Sequence, residues 1–138
     1  MRPECAFFLL AAASMLGCSR GHDVRPAQTD VLLRVCQAAS LDFYEERGTH
    51  PQSLRDLQEF VAQTDWARPE LLTPHSYEYG TRMLLSGVDA WDRPIELRQL
   101  SGLGRPLAWA SAGEDGEFGT RDDREYVIMG TYVSDSDE

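Results

Sequence analysis

Cysteine is scarce in this chain of 138 residues, with only Cys5, Cys18 and Cys36, too few for the cross-linked framework of a small secreted scaffold. Histidine is as sparse. His22, His50 and His75 sit in loop-like segments, and scattered histidines beside one free cysteine do not make a tetrahedral zinc site. No G-x-S-x-G, Walker-type loop or H-E-x-x-H occurs, so the chain reads as a non-enzyme. Positive charge is outnumbered, 13 Lys+Arg against 23 Asp+Glu, a formal net charge of −10. That field repels nucleic-acid backbones and anionic lipid surfaces and leaves cations and basic proteins as partners. Long apolar runs are missing too: "AFFLLAAASMLG", Ala6 to Gly17, falls well short of the ~20 residues a membrane span needs but suits the core of a signal peptide.

What is present fits one modest domain. Ser19 to Pro26 is polar and broken by Gly21 and Pro26, as a short tether would be. Val31, Leu32, Val35, Cys36, Ala39 and Phe43 recur at helical spacing and Gly48 and Pro51 supply a stop, which predicts an amphipathic helix over Ala27 to Arg47. Cys36 falls on its apolar face, as a buried small hydrophobe rather than a reactive thiol. Ser53 as cap with Leu54, Leu57, Phe60 and Val61 on one side predicts a second, shorter helix ending near Gln63. Residues 64 to 88, divided by Pro69, Pro74, Gly80 and Gly87, read as loop with at most one strand. "IELRQL" and "LAWAS" flank the turn "GLGRP" as a hairpin, and "EYVIMGTYV", Glu125 to Val133, is a further β-rich run. The tail 134–138, "SDSDE", reads as disordered. Helices first and strands after indicate an α+β fold, a helix packed across a small antiparallel sheet. Trp91, beside a proline-containing turn, could belong to a ligand groove but reads first as a plug for the helix–sheet core.

The stretch "SAGEDGEFGTRDD", residues 111 to 123, crowds acids around three glycines. Residues 111 to 125 hold six acids (Glu114, Asp115, Glu117, Asp122, Asp123, Glu125) against Arg121 and Arg124, a net −4. Composition alone allows a solvated acidic turn, with Asp and Gly there for local turn chemistry. It also allows a hard divalent cation, which takes ~6–8 oxygens from carboxylates and carbonyls. The spacing is not that of an EF-hand. Asp115 and Asp122 could serve as paired acid and base, but no aromatic-lined cleft is evident to hold a substrate between them.

Three stretches carry a family resemblance. "TDVLLRVCQAASLDFYEERGTHPQSLRDL", residues 29 to 57, resembles the exposed half of the long helix and the loop after it in the major pseudopilin of type II secretion systems, through Tyr44, Gly48 and Pro51. "DAWDRPIELR", residues 89 to 98, resembles that family's "D-x-W-G-x-P-Y" through Asp89, Trp91 and Pro94, with Asp92 where the family has glycine; Asp tolerates a left-handed backbone well. The acidic stretch is similar to the family's "S-x-G-x-D-G". The resemblance implies a pilin-like head whose C-terminal loop binds calcium, with Asp115, Asp122 and Asp123 as side-chain ligands and backbone oxygens near Ala112 and Glu117 completing the shell. It implies protein partners, among them secretion-system components.

The N-terminus departs from that family, which begins with a short basic leader and a long hydrophobic helix. Here "MLGC" resembles the lipobox of bacterial lipoproteins, so residues 1–17 read as a signal peptide and Cys18 as a lipidated N-terminus followed by a tether to residue 26; an ordinary secretory peptide or an uncleaved anchor would show a similar apolar run. Ser19 favours outer-membrane sorting, which places the head, residues 27–133, in the cell envelope facing periplasm or exterior. Two readings follow: a lipid-anchored pseudopilin-like assembly protein, or an independent calcium-binding surface lipoprotein that reuses the fold for adhesion or another protein partner.

Overall fold

Pro26 stands in the first turn of the longest helix, α1, Arg25–Arg47. The helix starts two residues before the expected Ala27 because a proline there has its φ preset and no N–H that the helix would use. It ends as the sequence predicts, at Gly48 with φ 74°, whose N–H donates to Tyr44 O at 2.8 Å. The computed structural model describes residues 22–64, 72–101 and 104–128. The signal segment, Cys18, the β-rich run beyond Ile128 and the acidic tail lie outside the described residues.

Buried side chains ring α1 over a wide arc, from Thr29, Leu32 and Leu33 through Val35, Cys36 and Ala39 to Phe43. Two other helices pack on one side and the sheet on another, so the apolar stripe is broader than a single contact would need. Burial pushes the Cys36 thiol well above its ordinary pKa, which leaves it protonated and inert, as its place on the helix face implied. α2, Leu54–Gln63, is capped by Ser53, whose hydroxyl accepts the Asp56 N–H at 3.2 Å while Asp56 Oδ2 accepts the Gln52 N–H at 2.9 Å. It buries Leu57, Phe60 and Val61, with Phe60 edge-on to Phe43, ring centroids 5.3 Å apart.

The expectation of loop over 64–88 is overturned for its second half: α3 spans Pro74–Ser86. The residues that looked like breakers are its punctuation. Thr73 Oγ1 caps it by accepting the Ser76 N–H at 3.2 Å, Pro74 opens it, and Gly87 at φ 79° closes it. Gly80 sits inside because α3 presses on α1 there: a Cβ would fall 3.0 Å from Val35 Cβ and 3.2 Å from Val31 O.

Three antiparallel strands form the sheet in the order β1-β2-β3, with β1 at Glu96–Gln99, β2 at Leu107–Ser111 and β3 at Arg124–Val127. The expected hairpin is β1 and β2, paired in a register that sets Leu97, Trp109 and Tyr126 in one row. Together with the helices this makes the α+β fold read from the element order.

Trp109, on the central strand, fills the space between sheet and helix and is fully buried. Its indole Nε1–H donates to Ser40 Oγ at 2.8 Å, and Ser40 donates to Cys36 O at 2.7 Å. The role expected of Trp91 thus belongs to Trp109; Trp91 is only half-buried, at the edge of the fold. Trp91 stands in the turn ahead of β1 and is not among the buried core residues, whereas Trp109 on the central strand is. Three helix positions one turn apart hold β3: Asp30 accepts two bonds from Arg124 Nη1 at 2.6 and 2.7 Å, Arg34 Nε donates to the Tyr126 hydroxyl at 3.3 Å, and Gln37 donates to Val127 O. Among the described residues no helix is long and apolar enough to cross a membrane.

Gly80→Ala sets helix propensity against packing. The gain of about 1 kcal/mol in propensity is outweighed by overpacking against Val35, about 1–3 kcal/mol, so urea denaturation should show a destabilised protein. Val35→Ala in the same chain should recover part of the loss; a more stable Gly80→Ala would show that the helices are not in contact here.

Candidate functional site

The turn Asp89–Pro94 is built around a carboxylate taken out of water. Asp89 is 2% exposed; its Oδ1 accepts the N–H groups of Trp91 at 2.9 Å and Arg93 at 3.0 Å, and its Oδ2 accepts the Ser111 hydroxyl at 2.6 Å. Ser111 Oγ in turn accepts the Gly113 N–H at 3.1 Å, and the Ala90 N–H donates to Thr29 Oγ1 on α1 at 3.3 Å. One carboxylate thereby joins the turn to the end of β2 and the start of the acidic loop, close beside the helix. Asp92 adopts φ 59°, the left-handed conformation its side chain tolerates.

From Gly113 the loop folds on itself. Gly113 at φ 70° backs directly onto Asp122: a Cβ there would lie 2.6 Å from Asp122 Oδ2. That same Oδ2 accepts the Asp115 N–H at 3.0 Å, Asp115 Oδ1 accepts the Glu117 N–H at 2.8 Å, and Asp123 Oδ2 accepts the Gly119 N–H at 2.6 Å. Acids are dense here because they supply the acceptors that a loop without sheet partners needs.

Oxygen converges on Thr120. Its hydroxyl lies 2.6 Å from Asp122 Oδ1, 3.0 Å from Glu117 O and 3.2 Å from Asp123 Oδ1. A hydroxyl has one proton to donate, so two of these three oxygens at any instant face another oxygen. The hydroxyl of Thr120 and the backbone N–H of Asp115 hold the Asp122 carboxyl down at about 2, anionic at every physiological pH. Such a set, two carboxylates, a hydroxyl and a carbonyl, fits a hard cation's preference for oxygen.

Of the residues expected as ligands, Asp122, Asp123 and the Glu117 carbonyl come together here. Asp115 joins through its N–H, its carboxylate turned to the Glu117 N–H, and Ala112 is buried just past the end of β2. Among the described residues no three carboxylate, imidazole or thiol side chains gather as a metal cluster. Thr120, Arg93 and Arg25 escaped the sequence reading. Arg93 Nη2 donates to Glu114 O at 2.8 Å, and Arg25 Nη2 lies 3.7 Å from Glu114 Oε1, so arginines distant in sequence answer part of the loop's charge. Only Thr120, inside the quoted stretch, carried a usable signal: a hydroxyl two residues before an acid is a local turn former. No family model, curated protein or solved structure matches the chain.

Asp89→Asn replaces an acceptor by a donor that must face either Ser111 or two N–H groups, and should cost about 1–3 kcal/mol of unfolding free energy; an unchanged urea midpoint would contradict the hub. For pH, the Asp122 carboxyl sits at about 2 when folded, below the ordinary ~3.9. Its stabilisation is therefore complete above about pH 4 and is lost as pH falls toward 2. Asp122→Asn should flatten the decline of stability in that window, measured by thermal melting at stepped pH.

Proposed function

We propose that the chain is a lipid-anchored, calcium-binding protein with a pseudopilin-like head, serving a structural or assembly role in type II secretion or related machinery. One observation carries the reading. The loop that resembles the family's calcium loop brings oxygens of Asp122, Asp123, Glu117 and Thr120 to one point, beside a sheet against which a long helix lies. In this reading Asp122, Asp123 and Glu117 O hold the ion with Thr120, Asp115 and the Ala112 carbonyl in support, and the ion offsets the repulsion among six clustered acids. Cys18 carries the lipid that replaces the filament-forming helix, and the head works in the cell envelope on protein partners.

The role of calcium here is to hold the loop, and the chain's own contribution is the scaffold: Asp89 fixes where the loop begins, and the α1 contact from Asp30 to Arg124 fixes where β3 leaves it. An ion bound only by the folded loop must raise the stability of the whole.

Thermal melting with increasing calcium should give a rising midpoint, equivalent to about 2.7 kcal/mol when calcium is a hundred times its Kd. Asp122→Ala and Asp123→Ala together should abolish the rise. A rise that survives both changes would remove this site, and no rise in the parent protein would remove the calcium reading. Affinity capture from envelope extracts that recovers secretion components only with calcium would favour assembly over an independent surface role.

A further inference from the structure

Between the start of α1 and the acidic loop lies a cleft of about 280 Å3, walled by Asp23, Pro26, Trp91, Glu114 and the paired Asp122 and Asp123. Arg124 reaches it but is committed to Asp30 by two short bonds, which leaves Arg121 as the other cation among the lining residues, beside four carboxylates. The chain sets one of its own cations against three of these walls. Arg25 makes a two-point contact with Asp23, Nε to Oδ1 and Nη2 to Oδ2, each 3.0 Å, stands 3.7 Å from Glu114 Oε1, and holds its guanidinium 5.9 Å from the centre of the Trp91 ring.

An aromatic face with flanking carboxylates is the chemistry that recognises a planar guanidinium: the ring takes the flat face and the carboxylates take the N–H edge. The Arg25 side chain is 45% exposed and that of Glu114 68%, and ion pairs so open to water are weak. The internal occupant can therefore leave. Its distance from the ring, 5.9 Å, is at the outer limit of a useful cation–π contact.

We propose that this cleft receives an arginine side chain from a protein partner, with Trp91 as its wall and Asp23 and Glu114 as its arms, and that Arg25 is the internal stand-in the partner displaces. The proposal rests on the assembly reading only in drawing its occupant from a protein; Asp122 and Asp123, the calcium ligands of that reading, wall the cleft but are not among its arms, and the test is run without calcium.

The test titrates the full chain, in EDTA, with the peptide acetyl-Gly-Arg-Gly-amide while the Trp91 indole N–H is followed by NMR and assigned with Trp91→Phe. That N–H is shielded from solvent and has no acceptor among the described residues, so it is a sensitive reporter. The signal should move and saturate. Arg25→Ala should tighten binding about two- to fivefold and Glu114→Gln should weaken it by a similar factor, the range a half-exposed cation–π and ion-pair contact gives. The citrulline counterpart, neutral but of the same shape, should leave the signal in place. Arg55→Ala removes the same charge from an exposed position on α2 and should leave affinity unchanged. The site is overturned if the arginine peptide gives no saturable shift, if citrulline binds as well, or if Arg55→Ala tightens binding as much as Arg25→Ala. Since EDTA removes calcium throughout, none of these results alters the outcome of the calcium melting series, and the two readings fail separately.

Discussion

A carboxylate placed away from water must have its lone pairs met or the fold pays for it, and Asp89 is where this protein accepts that obligation. Two N–H groups of its own turn and the hydroxyl of Ser111 meet it. Because those donors come from different segments, meeting the charge also decides geometry. The turn before β1, the end of β2 and the first glycine of the acidic loop are held in one place, and Thr29 keeps the turn beside α1. The loop's interior order depends on that origin: Gly113, which backs onto Asp122, has its N–H held by Ser111.

The helix–sheet contact obeys the same rule of satisfied burial in an apolar setting. Trp109 supplies the bulk, and its single polar atom is met by Ser40, whose own hydroxyl donates a hydrogen bond to the helix backbone at Cys36 O. On the flank, Asp30, Arg34 and Gln37 repeat at helical spacing to hold β3. The acidic loop leaves β2 and returns as β3, so both of its ends are fixed by α1 and the turn while its middle is free to specialise. A loop so anchored can gather anionic oxygens without unravelling, and that makes a cation-binding role physically reasonable.

Much of this was legible in the residues. Apolar spacing from Val31 to Phe43 with Gly48 at the end located α1, Ser53 located α2, and the hairpin followed from alternation around "GLGRP". Asp92 took the left-handed backbone expected of it. The failures have physical causes. α3 was hidden because Pro74 and Gly80 look like breakers unless the neighbouring helix is in view; one starts the helix and the other lets α1 approach. The core position expected of Trp91 fell to Trp109, to which the sequence reading gave no role: aromatic size says a ring seeks cover, but only the fold shows that Trp109 lies on the central strand against α1 while Trp91 stands in a turn ahead of the sheet. The acids of residues 111 to 123 were visible as a cluster, while their arrangement around Thr120 and the answering arginines at 25 and 93 required tertiary structure.

We propose that oxygens gathered at Thr120 hold a divalent cation and thereby fix the loop against the sheet. Crystals grown in abundant calcium, with anomalous diffraction to identify the ion, address it most directly. The account predicts an anomalous peak with ligand distances of about 2.3–2.6 Å to oxygens of Asp122, Asp123 and Glu117. Density at that point explained by water alone, with Thr120 still bonding its three neighbours, would contradict it.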